Sequence, residues 1–459
     1  MPCFTRGAAP LLSLTLTLAI AGTAGAATPN AGGAGIGTGS TALDTPLGDT
    51  AFDNGKTLAL TLGYASSATH RDGDPADLVY ALTDRGPNIH CDDSGKVVGV
   101  ADFCKGPQGV DNDGKIFPMP GFTPQITAIR LGTDADGHLT ARVERRIDLK
   151  DSQGQPISGI GNPLTVTDTE NGYDAHGTRL PLDPEGLDPE GLVRLADGSF
   201  WLSEEYGPSL VHAAADGTIL QRVVPDNEVD DLKAANYPLA GELPTILSRR
   251  KLNRGAESLA LSPDGRTLYF AMQSPLANPD KAAYKTSRNV RLFAVDLDDQ
   301  GRFAGVAHEY LYRLDTPDTF HDADSGRGDA NAKQSSVKVS EMSILPDGRL
   351  IVLERVSKTT KLYRIGASEA TDLLGGEYDA LDTRPTLAQI DDPASAGIVP
   401  VAKQLVFDSL TDAPALASKI EGVAVLDATH LLLANDNDFG IEGADSVFTV
   451  LPLVPRLSQ

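Results

Sequence analysis

The stretch DPEGLVRLADGSFWLSEEYGPSL, residues 188–210, has the pattern of two β-strands joined by a tight turn. Apolar residues alternate with other residues on both sides of its central Asp-Gly dipeptide, which is a strong signal for a β-hairpin. Glu190 stands just before the apolar part of the first strand, and Glu204 and Glu205 end the second strand. The stretch therefore predicts a hairpin that carries carboxylates at its open end.

The same pattern recurs along the chain. Three further copies are complete and one consists of a second half only; these are residues 256–276, 340–358, 420–439 and 77–88. The complete copies begin about 65–85 residues apart, so long loops must separate repeats that in typical propellers recur every 40–50 residues. Repeated hairpins that bury their faces against one another predict an all-β fold, a β-propeller. We expect about six blades, within a range of five to seven.

The overall composition restricts the kinds of partner. The 459 residues carry a formal charge of -24, which argues against nucleic acid and against adhesion to anionic membranes, because both need clustered Lys and Arg. The acidic excess has two interpretations: it keeps the chain soluble, or part of it binds cations. The sequence has no G-x-S-x-G, H-E-x-x-H, P-loop or dinucleotide-binding motif.

The N-terminus has the pattern of a secretory signal peptide, predicted to span residues 1–26. A basic residue, Arg6, precedes an apolar run over residues 11–20 and an Ala-Gly-Ala cleavage site. Residues 27–46 are rich in Gly, Ala and Thr and predict a flexible leader, and residues 47–459 predict the propeller domain. We therefore expect a periplasmic or secreted protein with no membrane anchor.

Two cysteines remain after the predicted cleavage, which removes Cys3. Cys91 and Cys104 form an even pair in an exported chain, and this predicts a disulfide that closes a short loop. The alternatives are two free thiols or half of a metal site, but no further cysteine or His pair lies nearby.

The repeat ends provide the candidate site, because equivalent strand ends of successive blades meet at one mouth of a propeller channel. The predicted catalytic residues are Glu190, Glu204, Glu205 and Glu354; the predicted substrate-binding residues are Arg85, Arg355 and His176; the predicted metal ligands are Asp84, Glu257, Glu341, Glu421, Asp436 and Asp438. Carboxylates this close need bases or cations beside them, and many hard oxygen ligands suit calcium. The simpler interpretation of the glutamates before the first strands is that they cap backbone N–H groups.

The motifs LTDRGPN, DPEGL, SEEYGPSL and IEGVAVLD resemble the phytase-like family, which is described by an esterase-like activity of phytase. Its members are exported bacterial chains expected to form β-propellers, and the resemblance covers about residues 50–455. It implies hydrolysis of an ester or phosphoester with the assistance of calcium. The motif positions it marks are Asp84, Arg85, Glu190, Glu204, Glu205, Glu257, Glu354 and Glu421.

Three functions are compatible with these patterns. The first is an exported hydrolase that acts on a small-molecule phosphate or carboxylic ester at the channel mouth, assisted by calcium. The second is a non-catalytic propeller that binds a sugar, a peptide or a protein at the same mouth. The third, a lactonase or a sugar-oxidising propeller, is less favoured because no residue set for a central metal or a quinone stands out in the sequence.

Overall fold

The computed structural model describes residues 36–453, and its five β-sheets of four or five strands are here named blades 1 to 5. In the order from the innermost to the outermost strand, blade 1 contains Ser67–Thr69, Leu78–Leu82, Gln125–Thr133 and Leu139–Asp148; blade 2 contains Pro189–Arg194, Phe200–Glu204, Ser209–Ala213, Ile219–Pro225 and Leu239–Leu243; blade 3 contains Ala256–Leu261, Thr267–Met272, Asn289–Leu297 and Phe303–Arg313; blade 4 contains Lys338–Ile344, Leu350–Arg355, Thr360–Gly366 and Ala402–Asp408; blade 5 contains Ile420–Val425, His430–Asn435, Val447–Pro452 and Gly39–Ala42.

The blades are arranged in a closed ring. The innermost strand of each blade packs against the innermost strands of the blades before and after it, and the strand of blade 5 packs against that of blade 1. This is a β-propeller, as the repeated hairpins predict. Residues 36–453 supply five such sheets, one fewer than the central estimate of six. The strand-like sequence before residue 62 forms a separate hairpin, Pro46–Ala51 with Thr57–Thr61, and no blade of its own.

Blade 5 joins the two ends of the described chain. Gly39–Ala42 pairs antiparallel with the strand Val447–Pro452, so the outermost strand of the last blade comes from the N-terminal side. These four residues lie in the stretch 27–46 that the sequence predicts to be a flexible leader, and for them that prediction is wrong. An edge strand pairs through its backbone and does not need alternating apolar side chains. The short Gly- and Thr-rich segment therefore has no apolar alternation that would predict a strand. Residues 1–35, which include the predicted signal peptide, lie outside the described residues.

The core lies between the blade faces. Trp201 of blade 2 is fully buried and donates from its indole N–H to the carbonyl oxygen of Gly301, in the turn of blade 3. Within blade 3, Phe270 and Phe293 stack with 4.6 Å between their ring centroids. Each blade thus buries both faces against its neighbours, and this packing fixes where the inner strands begin and end.

The remaining elements are short. The helices are Ser94–Val97, Val229–Leu232, Lys281–Thr286 and Ser409–Asp412; single 3-10 turns are Cys91–Asp93, Asp226–Glu228, Thr245–Arg249, Pro317–Phe320, Gln334–Ser336, Glu377–Asp379, Leu387–Gln389, Pro393–Ala396 and Asp438–Gly440; small strands are Ile89–His90, Lys105–Gly106, Gly109–Val110, Lys115–Ile116, Gly172–Tyr173, His321–Asp322 and Arg327–Gly328. No helix in residues 36–453 has the length and apolar character needed to cross a membrane.

The predicted disulfide is present. Cys91 and Cys104 are bonded, with 5.8 Å between their Cα atoms. The bond closes a short loop that packs a small hydrophobic cluster, which includes Phe52, Ile89 and Tyr173, beside the inner end of blade 1. The loop is therefore held close to the ends of the innermost strands.

Candidate functional site

A β-bulge lies near the start of the innermost strand in blades 2 to 5. In each case the pairing register skips one residue, and the skipped residues are Glu190, Glu257, Ser340 and Glu421. A bulge turns one side chain out of the alternation of its strand and is common beside active sites. In blade 1, Ser66 precedes the short inner strand and its hydroxyl donates to Glu190 Oε2 over 2.7 Å.

The second strands end beside these bulges. Pro189, Ala256, Val339 and Ile420, which precede the bulges, pair with the last or penultimate residues of the second strands. In blades 2 to 5 the residue after this paired one lines the cavity, and in blade 1 Asp84, two positions after the second strand, lines it as well; these residues are Asp84, Glu205, Gln273, Arg355 and Asp436. The two sets therefore meet at the same end of the ring.

Together they line one cavity of about 510 Å³. Its acidic lining residues are Asp84, Glu190, Glu205, Glu257, Glu421, Asp436 and Asp438, and its basic ones are Arg85, Lys115, Arg254, Lys338, Arg355 and Lys419. All five blades contribute, so ring closure brings together charged side chains that are up to 354 positions apart (84 and 438). Because the two signs nearly balance, their arrangement matters more than their sum.

Arg85 organises one side of the cavity. Its guanidinium pairs with Glu170, with Asp188 and, at 3.1 Å, with Glu205, and it lies 4.9 Å from the centre of the Tyr206 ring. Its backbone N–H also donates to Asp188 Oδ1 over 3.1 Å. With three carboxylates around it and only 4% of its side chain exposed, Arg85 fixes the positions of acids and is not free to bind a substrate phosphate.

The carboxylates beside Arg85 form the acid cluster, defined here as Asp84, Asp188, Glu190, Glu205 and Glu257. Asp188, Glu190 and Glu205 each place an oxygen within 4.8 Å of the others. Burial raises the pKa of Glu190 well above its usual range, and the charges of Asp188, Glu257 and Glu205 raise it further. Burial, with Glu205 next, raises the pKa of Glu257 to about 7, and burial raises that of Asp84 to about 6. The cluster thus holds more negative charge than Arg85 neutralises.

The cavity also carries the base cluster, defined here as Arg254, Lys338 and Arg355. Burial, followed by the charges of Arg355 and Arg254, lowers the pKa of Lys338 to about 7. Arg355 pairs with Glu421, which lies 3.9 Å from Lys338 Nζ. Among the described residues, Glu421 is the carboxylate within ion-pair distance of Arg355 and Lys338, and none lies at that distance from Arg254, so these bases have capacity for an anion.

A third group of charged residues lines the cavity. Lys419 pairs with Asp438, and Asp436 Oδ1 accepts from the backbone N–H of Asp438 over 2.9 Å. Burial raises the pKa of Asp436 well above its usual range, and the charges of Asp438 and Asp84 add to this effect. No base pairs directly with Asp436 among the described residues.

Left-handed backbone conformations concentrate at this cavity. Of the five described non-glycine residues with positive φ, Asn253 (60°), Lys419 (56°) and Asp438 (47°) line it, and Phe439 (53°) follows directly. Such conformations cost about 1–3 kcal/mol each and persist where the surrounding structure imposes them. The chain therefore holds these side chains in place at a cost to stability.

Two predicted catalytic residues lie elsewhere. Glu204 is fully buried and pairs with the fully buried Arg222 over 2.7 Å. Glu354 is fully buried as well; it pairs with Lys403 and accepts from the hydroxyl of Tyr312. Both precede a cavity-facing residue by one position, so the period of two along a strand turns them into the packing between blades. Their predicted catalytic role requires contact with the cavity, and the structure does not provide it.

Two further predicted residues also lie outside the lining. Glu341 follows the bulge residue of blade 4, and its carboxylate is buried against the neighbouring inner strands, where it accepts from Ser67 and from the backbone N–H of Met342. His176 is exposed in a loop, and its Nδ1 lies 2.7 Å from Asp53 Oδ1. The bulge explains the first displacement, because it shifts the site position from Glu341 to the residue before it.

Several lining residues were not predicted, and one pattern could have identified some of them. Asp188, Lys338 and Lys419 each stand two positions before a bulge residue, and Asp188 and Lys338 belong to the acid and base clusters. In blade 3 that position is Gly255, where a Cβ would lie 2.3 Å from the carbonyl oxygen of Glu205. Arg254, Lys115 and Asn253, which also line the cavity, come from outside the repeats: Arg254 and Asn253 from a loop and Lys115 from a two-residue strand.

Comparison with other proteins supports a family assignment. The family model described as "Phytase-like: Esterase-like activity of phytase" matches residues 109–439. An uncharacterized secreted protein of the fungus Arthroderma benhamiae is 26% identical over 383 residues, which are 75% of this chain and 69% of that protein.

Solved structures give weaker likenesses. A virginiamycin B lyase from Staphylococcus aureus is 12% identical and covers 90% of this chain and 98% of its own, with a TM-score of 0.26. The calcium-binding protein regucalcin from Agrobacterium tumefaciens is 12% identical and covers 85% and 92%, with a TM-score of 0.31. Because these scores are low, the propeller assignment stands on the strand topology of this chain. The family match spans most of the chain and contains the cavity positions from Glu190 to Asp438, and the chain belongs to the phytase-like family.

Proposed function

We propose that this protein is an exported hydrolase of phosphate or carboxylic esters, that it is assisted by calcium, and that the reaction occurs in the cavity at the channel mouth. The observation that carries the proposal is that a cluster of acids and a cluster of bases line one cavity. A cation beside the acids and an anionic group beside the bases would satisfy both. Membership of the phytase-like family supports an ester as the substrate.

The donor set of the acid cluster fits calcium. The donors are carboxylate oxygens, which a hard cation prefers, and three of the residues place an oxygen within 4.8 Å of one another. Arg85 pairs with Asp188 and Glu205 but not with Glu190, so a divalent ion would relieve the repulsion among these acids that raises the pKa of Glu190. Asp188, Glu190 and Glu205 would hold the ion. When bound, calcium would supply a Lewis acid beside the ester group.

The side chains of the protein itself have three tasks in this proposal. Arg85 orients Asp188 and Glu205, because it pairs with both of them. Arg355, Lys338 and Arg254 bind the phosphoryl or acyl oxygens and stabilise the negative charge that develops on them. Preference for a phosphate over a carboxylic ester follows from the three bases, which suit a dianion better than a neutral carbonyl.

The test compares turnover with and without calcium. Purified protein is assayed on 4-nitrophenyl phosphate and 4-nitrophenyl acetate, in calcium and in a chelator, and its metal content is measured. The variant Glu190→Gln keeps the shape of a cluster member and removes the carboxylate that would hold calcium, and we expect kcat to fall by about 100-fold. The matched control Glu242→Gln changes an exposed glutamate outside the cavity and should leave both rates unchanged.

Two results would reject the hydrolase. One is the absence of turnover on both esters, and the other is an unchanged rate in Glu190→Gln. A calcium-dependent rise in melting temperature without turnover would favour a non-catalytic propeller that binds a ligand at this mouth. Export to the periplasm or the medium is part of the proposal; the secreted fungal relative and the disulfide support it, and a bacterial source stays a prediction.

A further inference from the structure

Glu204 is fully buried and does not line the cavity, yet its carboxylate is bonded to the backbone beside two members of the acid cluster. Oε1 of Glu204 accepts from the backbone N–H of Asp188 over 3.1 Å and from that of Tyr206 over 2.9 Å. Asp188 is itself a member of the cluster, and Tyr206 directly follows another member, Glu205. One carboxylate oxygen therefore joins two chain segments that each carry an acid of the site.

A backbone hydrogen bond completes this connection. The N–H of Glu205 donates to the carbonyl oxygen of Asp188 over 3.0 Å. Together with the two bonds to Glu204, it joins the segment before the inner strand of blade 2 to the end of the second strand. Asp188 and Glu205 each place a carboxylate oxygen within 4.8 Å of the other and of Glu190, so a shift of either segment would separate these oxygens.

The second oxygen of Glu204 has partners of its own. Oε2 accepts from the guanidinium of Arg222 over 2.7 Å and from the hydroxyl of Ser209 over 3.1 Å. Arg222 is fully buried and also donates to Asn162 Oδ1 over 2.9 Å. Because both oxygens are bonded in a buried network, the carboxylate of Glu204 has a fixed orientation toward the two N–H groups.

Glu354 occupies the equivalent core-facing position of blade 4, and its partners are of a different kind. Its carboxylate pairs with Lys403, and its Oε2 accepts from the backbone N–H of Asp315 over 3.0 Å. Neither partner lines the cavity or belongs to the acid cluster. Of these two buried glutamates, Glu204 is therefore the one that is bonded to the site.

We propose that Glu204 is a positioning residue for the calcium site: its bonds to two backbone N–H groups fix the spacing of Asp188 and Glu205, and this spacing sets the affinity for the ion. The inference rests on the proposed function, because it assumes that Asp188, Glu190 and Glu205 hold calcium. Groups that orient metal ligands from behind are as much a part of a metal site as the ligands are. Carboxylates that are already held at the right spacing also lose less freedom when the ion binds.

The affinity for calcium, measured by isothermal titration calorimetry on the full chain, tests the inference without any catalysis. The amide in Glu204→Gln has a single oxygen, so its NH2 group faces either the two N–H groups or Arg222. We expect the Kd for calcium to rise at least about tenfold in this variant. The control Glu354→Gln also removes a fully buried carboxylate that is paired with a base, and its Kd should stay within about twofold of the unchanged value.

A double variant covers the case in which Glu204→Gln does not fold. Glu204→Met combined with Arg222→Met replaces the buried ion pair by apolar side chains, a change that is often neutral for stability. It leaves the N–H groups of Asp188 and Tyr206 without this acceptor, so the Kd should again rise about tenfold. Luminescence lifetimes of bound europium in light and heavy water count the waters on the ion, and we expect about one more water in both variants, since solvent replaces a displaced carboxylate.

The possible outcomes separate the inference from the proposed function. An unchanged Kd in Glu204→Gln, or an equal rise in Glu354→Gln, would overturn the positioning role even if the esters are hydrolysed. A rise confined to Glu204→Gln without turnover on either ester would support the positioning role and reject the hydrolase. Absence of calcium binding to the unchanged protein would overturn the inference, and turnover in the chelator would then show a hydrolase that needs no calcium.

Discussion

Two adjacent positions at the end of the second strand have opposite surroundings in the five blades. The first position faces the packing between blades and contains Thr83, Glu204, Met272, Glu354 and Asn435; the second faces the cavity and contains Asp84, Glu205, Gln273, Arg355 and Asp436. Glu204 and Glu205 are the same residue type, one bond apart in the chain. Position in the alternation, and not residue type, therefore decides which acids belong to the site.

The two positions also neutralise charge differently. The core-facing glutamates have few competitors for their bases: Glu204 pairs with Arg222, and Glu354 pairs with Lys403, which it shares with Asp315 alone among the described residues. The cavity-facing Glu205 shares Arg85 with two other carboxylates. A dedicated partner stabilises the fold, whereas shared partners leave charge available for a ligand.

The largest expected effect is a difference in stability between substitutions of Glu204 and of Glu205. Glu204→Gln leaves the guanidinium of Arg222 buried without a counter-charge, and we expect the free energy of unfolding to fall by about 3–5 kcal/mol. Urea unfolding at pH 7 measures this. Glu205→Gln is the matched control. Because Arg85 still pairs with Glu170 and Asp188 in this variant, its free energy of unfolding should fall by less than about 1–2 kcal/mol. Equal losses in the two variants would show that the positions are not distinct.

The next effect separates the glutamates near the bulges by activity. Glu257 is a bulge residue in the cavity, whereas Glu341 follows a bulge and is buried away from it. In the proposed hydrolase, Glu257→Gln should lower kcat by about 10- to 100-fold, because it removes charge from the acid cluster. Glu341→Gln should change kcat less than about twofold, since burial already raises the pKa of Glu341 well above its usual range and favours the neutral form. Equal losses of activity would refute the role of the bulge.

The alternation of side chains along the strands also explains how much of the fold and of the site could be predicted from the sequence. The repeated Asp-Gly hairpins predict a propeller because turn chemistry and alternation are local, and the structure has these strands. Their polar ends predict a common site, and Asp84, Glu190, Glu205, Glu257 and Arg355 do line one cavity. A local sequence pattern is therefore sufficient to predict a site residue where every repeat has the same spacing.

The failures arise where spacing shifts by one residue. A bulge adds one residue to a strand, so alignment by glutamate assigned Glu341 to the position that Ser340 occupies. Arg254 reaches the cavity from a loop and Lys115 from a two-residue strand, and the position of both depends on tertiary packing. The strand Gly39–Ala42 pairs with residues more than 400 positions later, and no local pattern shows such a partner.

A smaller effect concerns Glu228, which lies in the same buried region as Glu204 and Arg222. Burial raises the pKa of Glu228 to about 8, against 4.5 for a free glutamate, so the native chain retains a proton that the unfolded chain releases. The resulting stabilisation is complete below pH 4.5 and is lost as the pH rises through 8. The side chain in Glu228→Gln cannot ionise. From pH 5 to pH 8 the free energy of unfolding of this variant should therefore fall by about 1–2 kcal/mol less than that of the unchanged protein.

The measurement is urea unfolding at both pH values, taken as a difference between the two proteins, so that the other titrating groups cancel. Glu242→Gln, at an exposed glutamate, should show no such difference. If Glu228→Gln followed the same pH dependence as the unchanged protein, the carboxyl would be ionised in the native state. The core would then contain an ionised carboxylate without a base of its own, and core-facing and cavity-facing acids would differ less in how their charges are neutralised.

The smallest predicted change in stability concerns blade 5, where a substitution in the cavity-facing position should stabilise the fold. Asn435, in the core-facing position, accepts from the backbone N–H of Val447 over 2.7 Å, and its loss in Asn435→Ala should destabilise the fold by about 1 kcal/mol or less. Asp436, in the cavity-facing position, is close to Asp438 and Asp84, which disfavour its charge. Asp436→Asn keeps the acceptor for the N–H of Asp438 and removes this repulsion, so we expect it to raise stability by about 0.5–1 kcal/mol at pH 7 and to lower activity. A loss of stability in Asp436→Asn would mean that this carboxylate supports the fold, and the cavity-facing position would then not be reserved for the site.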